Sequence, residues 1–239
     1  MGSATRSLYR AASWLAQWSC NIALRAALAA LTRWRVEGRR EHVPRTGPFI
    51  VAVNHVSLAD PPVLAAALHR RVIFMAKQEI FRWPLIGAAI RLYGAFGVRR
   101  FEADLSALRR SRAVLREGKA LGMFPEGTRS RGRGLGQPYP GAAIVALSAD
   151  ALIVPAAIWG TERLLGRRLL LVPFTRPRVT VRFGAPFRLP RAARVTAEDA
   201  RRGAEEIMRR IAVLLPPERL GEYGRALQAG ESPIAEEPA

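Results

Sequence analysis

The sequence predicts an α/β fold, a largely parallel twisted sheet flanked by helices, preceded by an N-terminal amphipathic helix or helical pair. Three observations carry this. From residue 48 onward, short β-rich runs alternate with helical stretches. Several of those runs are apolar throughout, the pattern of strands covered on both faces. The chain has 239 residues, 49% of them hydrophobic, which is enough for one full core, and no low-complexity run divides it.

In chain order, residues 7–31 are rich in Leu, Ala, Trp and Ile, while Arg10, Ser13, Gln17, Asn21 and Arg25 recur every three or four positions. A helix gathers these five into one narrow polar stripe, an interfacial pattern. Trp14, Trp18 and Trp34 suit a headgroup region, and Arg6, Arg10, Arg25, Arg33 and Arg35 suit anionic lipid phosphates. Against a membrane span stands Arg25 within the apolar stretch, at a cost of roughly 2.5–3.5 kcal/mol. Gln17, Asn21 and Arg25 also interrupt any signal-peptide core. An ordinary amphipathic helix packed on the domain is the other reading. Expected boundaries are a membrane-associating helical segment over 1–35, an α/β domain over 36–217 and a flexible tail over 218–239.

The body then runs as a strand at Phe49 to Val53, a helix at Pro61 to His69, a strand at Val72 to Met75, a helix at Pro84 to Leu92 and a strand at Ala95 to Val98. A helix follows around Asp104 to Glu117, then a strand at Leu121 to Phe124, a helix at Gly141 to Ser148 and an apolar strand at Leu152 to Ile158. Val179 to Phe183 alternates as a further strand. Thr196 to Leu215 is an amphipathic helix stopped by Pro216 and Pro217, and Gly221 to Ala239 reads as a frayed tail.

Composition narrows the chemistry. Thirty-eight Lys and Arg face 19 Asp and Glu, a formal net charge of +19, which calls for a polyanionic partner without choosing among nucleic acid, anionic lipid and phosphorylated substrate. Cys20 is the only cysteine, so neither an intrachain disulfide nor a thiolate cluster is available. His42, His55 and His69 have no zinc-ligand spacing, and no bound catalytic metal is expected. No GxxxxGK[ST] loop is present, so nucleotide-dependent phosphoryl transfer has no support.

Two segments carry chemistry. Asn54-His55-Val56-Ser57-Leu58-Ala59-Asp60 follows an apolar strand directly, which puts His55 at a strand's carboxyl end, where open α/β sheets build their sites. A turn there lets Asp60 face His55, hold one imidazole tautomer and stabilise the cation formed on protonation. Asp60-Pro61-Pro62 is equally a good helix start. Phe124-Pro125-Glu126-Gly127-Thr128-Arg129-Ser130 also follows a strand and emerges at the same edge if the strands are parallel. Gly127 permits a tight turn and Arg129 is a forked donor suited to phosphate. Alone, this second segment is ordinary turn composition.

Together, in this order and at this separation, the two segments resemble the glycerolipid acyltransferases of the lysophosphatidate acyltransferase (PlsC) type. The resemblance runs from about Pro48 to Phe187. It includes Lys77, the Trp83-Pro84-Leu85-Ile86-Gly87 stretch, Gly94-Ala95-Phe96-Gly97-Val98-Arg99-Arg100 and Ile153-Val154-Pro155. It implies that His55 takes the proton of the acceptor hydroxyl and Asp60 supports it, the alkoxide attacking an acyl thioester with no acyl-enzyme. Arg129, Arg100 and Lys77 would bind the acceptor phosphate, and Glu126, Gly127 and Thr128 would shape the pocket. No bound cofactor is implied, the acyl donor being a co-substrate, acyl-CoA or acyl-carrier protein. The implied acceptor is lysophosphatidate, acylated on its free sn-2 hydroxyl to give phosphatidate at the cytoplasmic face of the cell membrane, the protein being peripheral or monotopic on an anionic phospholipid surface.

Two positions depart from the family pattern: Arg99 stands where an acidic residue is frequent, and Tyr139-Pro140-Gly141 where Phe-Lys-x-Gly is common. Arg99 and Arg100 favour a more anionic headgroup or are solvated surface charge. Another lysophospholipid, glycerol 3-phosphate or a glycolipid remains open as the acceptor. A basic nucleic-acid-binding protein would need base-stacking aromatics on a basic face, and none is visible. The catalytically silent membrane scaffold is the third class.

Overall fold

The computed structural model describes residues 3–99, 104–130, 133–165, 170–190 and 194–230, and the side chains of these except 3–16 and 222. Strands β1 (Arg33–Glu37), β2 (Phe49–Val53), β3 (Val72–Lys77), β4 (Phe96–Val98), β5 (Ala120–Met123), β6 (Ile153–Trp159) and β7 (Arg178–Phe183) form one sheet in the order β1-β7-β6-β2-β5-β3-β4. Only the β6–β7 pair is antiparallel. The largely parallel α/β sheet expected from the run pattern is therefore the fold.

Strand β2 shows why apolar runs gave the right class. Its five residues are fully buried, Phe49, Val51 and Val53 facing one core and Ile50 and Ala52 the other. On the first face lie α1 (Ser3–Leu31) and α3 (Asp60–Ala67); on the second lie α5 (Leu105–Arg116), α6 (Gly141–Ala149), α8 (Ala197–Ala212) and α9 (Gly221–Gln228). The remaining helices are short: α2 (Arg39–His42), α4 (Pro84–Leu92) and α7 (Val172–Thr175). Local chemistry sets several ends. Asp104 caps α5 by accepting the N–H groups of Ser106 and Ala107, both at 3.0 Å, and Thr196 and Asp199 close a capping box on α8.

Four features differ from the sequence reading. Arg33–Glu37 is a strand that pairs in parallel with β7, so Trp34 packs on the core instead of standing in a headgroup layer. Arg25 does not reach outward: its guanidinium donates to the carbonyls of Ala66 and Leu68, the free end of α3. Asn21 accepts a 3.0 Å hydrogen bond from Tyr93, and Gln17 is buried. The described part of the stripe, Gln17, Asn21 and Arg25, thus faces the protein, while Trp18, Ile22 and Leu31 are exposed; the side chains of Arg6, Arg10, Ser13 and Trp14 lie outside those described. Last, part of the expected frayed tail is helix α9, held because Leu220 and Leu227 are buried and Leu220 O accepts from Leu135 N at 2.9 Å; residues 231–239 lie outside the described residues. No helix among the described residues is long and apolar enough to cross a membrane.

Candidate active site

The site begins where β2 stops pairing. Asn54 replaces the ladder by side-chain bonds, its amide N–H donating to Ile158 O at 2.9 Å and its carbonyl accepting from Ile158 N at 2.8 Å. The chain then turns out of the sheet, and Asp60 opens α3 with Pro61 and Pro62 behind it. The helix does start here, but Ala59 is its N-cap and Asp60, as first helical residue, caps none of its N–H groups and turns its carboxylate to the histidine loop. Its Oδ2 lies 2.7 Å from His55 Nδ1 and accepts the backbone N–H groups of Val56 at 2.7 Å and Ser57 at 2.8 Å. Its Oδ1 accepts the hydroxyl of Thr161. Asp60 is wholly buried and His55 is 5% exposed. A carboxylate fed by two backbone donors at one oxygen accepts from Nδ1–H, which leaves Nε2 as the ring's proton acceptor.

The second segment packs directly on the first. Phe124 stacks on the His55 ring with centroids 4.2 Å apart, and Phe74 stands behind Phe124 at 6.1 Å. Gly122 leaves room for Phe74, since a Cβ there would sit 2.3 Å from that ring. Glu126 turns inward: Oε1 accepts His55 N–H at 2.7 Å and Oε2 accepts Gly136 N–H at 2.9 Å. Ser130 N–H in turn donates to His55 O at 2.8 Å. Burial pushes the Glu126 carboxyl up to about 7, against the pull of its two backbone donors.

The other expected residues divide. Gly127 takes φ +62°, with Tyr139 packed where a Cβ would be, so the tight turn is real. Thr128 is exposed at its tip. Arg129 is half-buried and has no hydrogen bond or ion pair among the described residues, a free forked donor beside the histidine loop. Lys77 ends β3 and pairs with Glu79 at 3.1 Å, half exposed. Arg100 lies outside the described residues. Because β2, β5 and β3 are adjacent and parallel, His55, the 124–130 loop and Lys77 leave the sheet from one edge. An open cleft of about 530 Å³ lies beyond it, lined by Gln78, Phe81, Gly97, Arg99, Asp104 and Ser106. Thr161 was missed by sequence reading; the available signal was a Gly-Thr pair directly after an apolar strand.

No group of three or more His, Cys, Asp or Glu among the described residues is arranged to hold a metal ion. The site presents an imidazole oriented by a buried carboxylate, with an arginine that has no hydrogen bond or ion pair among the described residues on the neighbouring loop. Fold and site define a class: largely parallel α/β proteins with a hydrogen-bonded histidine–aspartate pair at the carboxyl edge of the sheet. Within that class the chain belongs to the Acyltransferase family, whose profile matches residues 33–159. It is 30% identical over 192 residues to the 1-acyl-sn-glycerol-3-phosphate acyltransferase of Streptococcus pneumoniae, covering 77% of this chain and 67% of that protein. It is 32% identical over 142 residues to the lyso-ornithine lipid O-acyltransferase of Pseudomonas aeruginosa, covering 54% and 53% respectively. The chain spans about half the length of several such relatives. In fold it is similar to the 1-acyl-sn-glycerophosphate acyltransferase PlsC of Thermotoga maritima, with TM-score 0.61, 24% identity, and coverage of 83% of this chain and 79% of that one.

Proposed function

We propose that this chain transfers a fatty acyl group from a thioester, acyl-CoA or acyl-carrier protein, to the sn-2 hydroxyl of lysophosphatidate, yielding phosphatidate. The observation that carries the proposal is the 2.7 Å His55–Asp60 pair, whose buried carboxylate commits Nε2 to accepting a proton. In this reading Nε2 takes the hydroxyl proton as the acceptor oxygen attacks the thioester carbonyl. Collapse of the tetrahedral intermediate breaks the C–S bond, and the imidazolium returns the proton to the departing thiolate. Asp60 stabilises the cation in between. In this reading the acceptor oxygen attacks directly and no acyl-enzyme forms, Ser57 serving its own loop by accepting Ala59 N–H at 3.2 Å. Arg129, Arg100 and Lys77 hold the phosphate, Arg129 through a fork that meets no partner among the described residues. Gly127 and Thr128 shape the pocket mouth, while Glu126 acts from within by fixing the backbone of His55.

The partner surface in this reading is an anionic bilayer at the cytoplasmic face, with the protein peripheral or monotopic. Its support is a set of exposed apolar residues around the site edge. Leu31 ends α1, and Arg33 N–H donates to Pro177 O at 3.0 Å, which ties that end to the segment bearing Leu170, Leu171 and Phe174. Trp83, Leu85 and Ile86 are exposed at the start of α4, which leaves the same edge. A second acceptor reading, another lysolipid, draws on the lyso-ornithine lipid relative.

The deciding experiment follows thiol release from palmitoyl-CoA by purified protein, with and without lysophosphatidate, beside His55→Ala. Release that requires both the acceptor and His55 is expected. A folded wild type that stays silent on lysophosphatidate but acylates another lysolipid moves the assignment to that acceptor, and silence across an acceptor and carrier panel removes it.

A further inference from the structure

We propose that Thr161 is a positioning residue of the His55 base, holding Asp60 from the turn that follows β6 so that the carboxylate keeps the imidazole in line. The inference rests on the acyl-transfer reading of the site. Asp60 has two oxygens with unequal work. Oδ2 takes His55 Nδ1 and the N–H groups of Val56 and Ser57, all supplied by its own loop. Oδ1 takes one partner among the described residues, the Thr161 hydroxyl, from beyond the end of β6. Both residues are 0% exposed, so no bulk water stands in for that bond. Without it, Oδ1 would be a buried charged acceptor with nothing to accept, and rotation about the carboxylate's Cβ–Cγ bond would tilt the atom that aligns the ring.

The chain has gone to some length to place this hydroxyl. Gly160 adopts φ +88° and passes the carbonyl of Arg178 so closely that a Cβ would lie 2.0 Å from its oxygen. Only glycine turns there, and the turn carries Thr161 under Asp60 as the first residue of a short 3-10 helix, Thr161–Arg163. Two side-chain bridges now join the histidine loop to β6, Asn54 with Ile158 before the histidine and Asp60 with Thr161 after it. His55 is suspended between them. A hydroxyl donor, not merely a filler of its volume, is what the arrangement uses, which separates Thr161 from its near-isostere Val.

The test compares Thr161→Val and Thr161→Ser with wild type in steady-state transfer and in the imidazole resonances of His55. With three histidines in the chain, assignment by His42→Gln and His69→Gln is direct. Thr161→Val should lower kcat about tenfold or more with KM for the acceptor within about twofold, since alignment and not binding is lost. Thr161→Ser should restore most of it. The Nδ1 proton of His55 should shift in the Val variant and return in Ser, a readout that needs no substrate and so stands even if the acceptor assignment fails. A Val variant with wild-type kcat, Val and Ser equally impaired, or a His55 resonance unmoved by Val would each overturn the proposal.

Discussion

Glu126 carries a charge decision in a place without water. Its carboxyl sits at about 7 against an ordinary 4.5, because desolvation outweighs the two backbone N–H groups that favour the anion. The folded pKa lies above the unfolded one, so the native state holds a proton that the unfolded chain has released between those values. That stability is complete below about pH 4.5 and is lost as pH rises through about 7. A shift of this size is on the order of 3 kcal/mol. Denaturant unfolding of wild type from pH 4.5 to 7.5 should show this loss, and Glu126→Gln should lack it while being less active, because its amide NH₂ must face one of the two N–H donors. An equal pH slope in both proteins would refute the assignment. Arg129 belongs to the same scale: if its fork holds phosphate, Arg129→Lys should raise acceptor KM about tenfold or more with kcat little changed, since a point charge replaces a bidentate donor.

At the scale of elements, the site depends on how two strands end. β5 is followed by Phe124, whose ring lies on His55, and β6 by Gly160, whose positive φ sets Thr161. Gly160→Ala should therefore cost about 2–3 kcal/mol of stability and depress activity with it, measured by thermal unfolding and initial rate on the same preparation. A different joint fastens α1. Arg25 donates to the last carbonyls of α3, is partly desolvated there, and has its pKa lowered by that burial and by Arg39. Arg25→Met keeps the stem and removes the donors; it should release α1 from the domain, seen as faster proteolysis within residues 3–31 and a loss of about 1–3 kcal/mol. Retained protection would show that the apolar contacts of Leu24 and Leu28 suffice.

Across the whole molecule, the sheet has a working edge and the surface is arranged around it. The histidine loop, the glutamate loop and Lys77 leave by that edge, and exposed Leu31 at the end of α1, Trp83, Leu85 and Ile86 at the start of α4 and Phe174 of α7 flank it. If the proposed anionic surface is the partner, a net charge of +19 would supply long-range attraction to it and the apolar residues would supply contact. Phe174→Asp combined with Leu170→Asp should weaken sedimentation with phosphatidylglycerol vesicles several-fold without changing the unfolding midpoint, because both side chains are exposed. Unchanged sedimentation would exclude this face from lipid contact.

Period and position made much of this legible from one chain. Runs such as Phe49 to Val53 can be stable only with both faces covered, which is enough to give parallel α/β, and a histidine directly after such a run must appear at the sheet's carboxyl edge. The His55–Asp60 spacing and the glycine turn at Gly127 followed for the same local reason. What local pattern does not contain is orientation relative to distant chain. The stripe of Gln17, Asn21 and Arg25 has the same period whether it meets water, headgroups or the end of α3, and the choice was made by carbonyls of residues 66 and 68. Glu126, expected at the pocket wall, turned inward because the N–H groups of His55 and Gly136 needed an acceptor. Arg33–Glu37 became a strand because β7 offered an edge, and Gly221–Gln228 a helix because α8 offered an apolar face. The sequence by itself determined the core strands and helices and which residues stand at their ends; only the tertiary structure decided the edge strand at Arg33–Glu37, the helix at Gly221–Gln228 and which way each polar group faces, because a partner far along the chain exists only once the chain has folded.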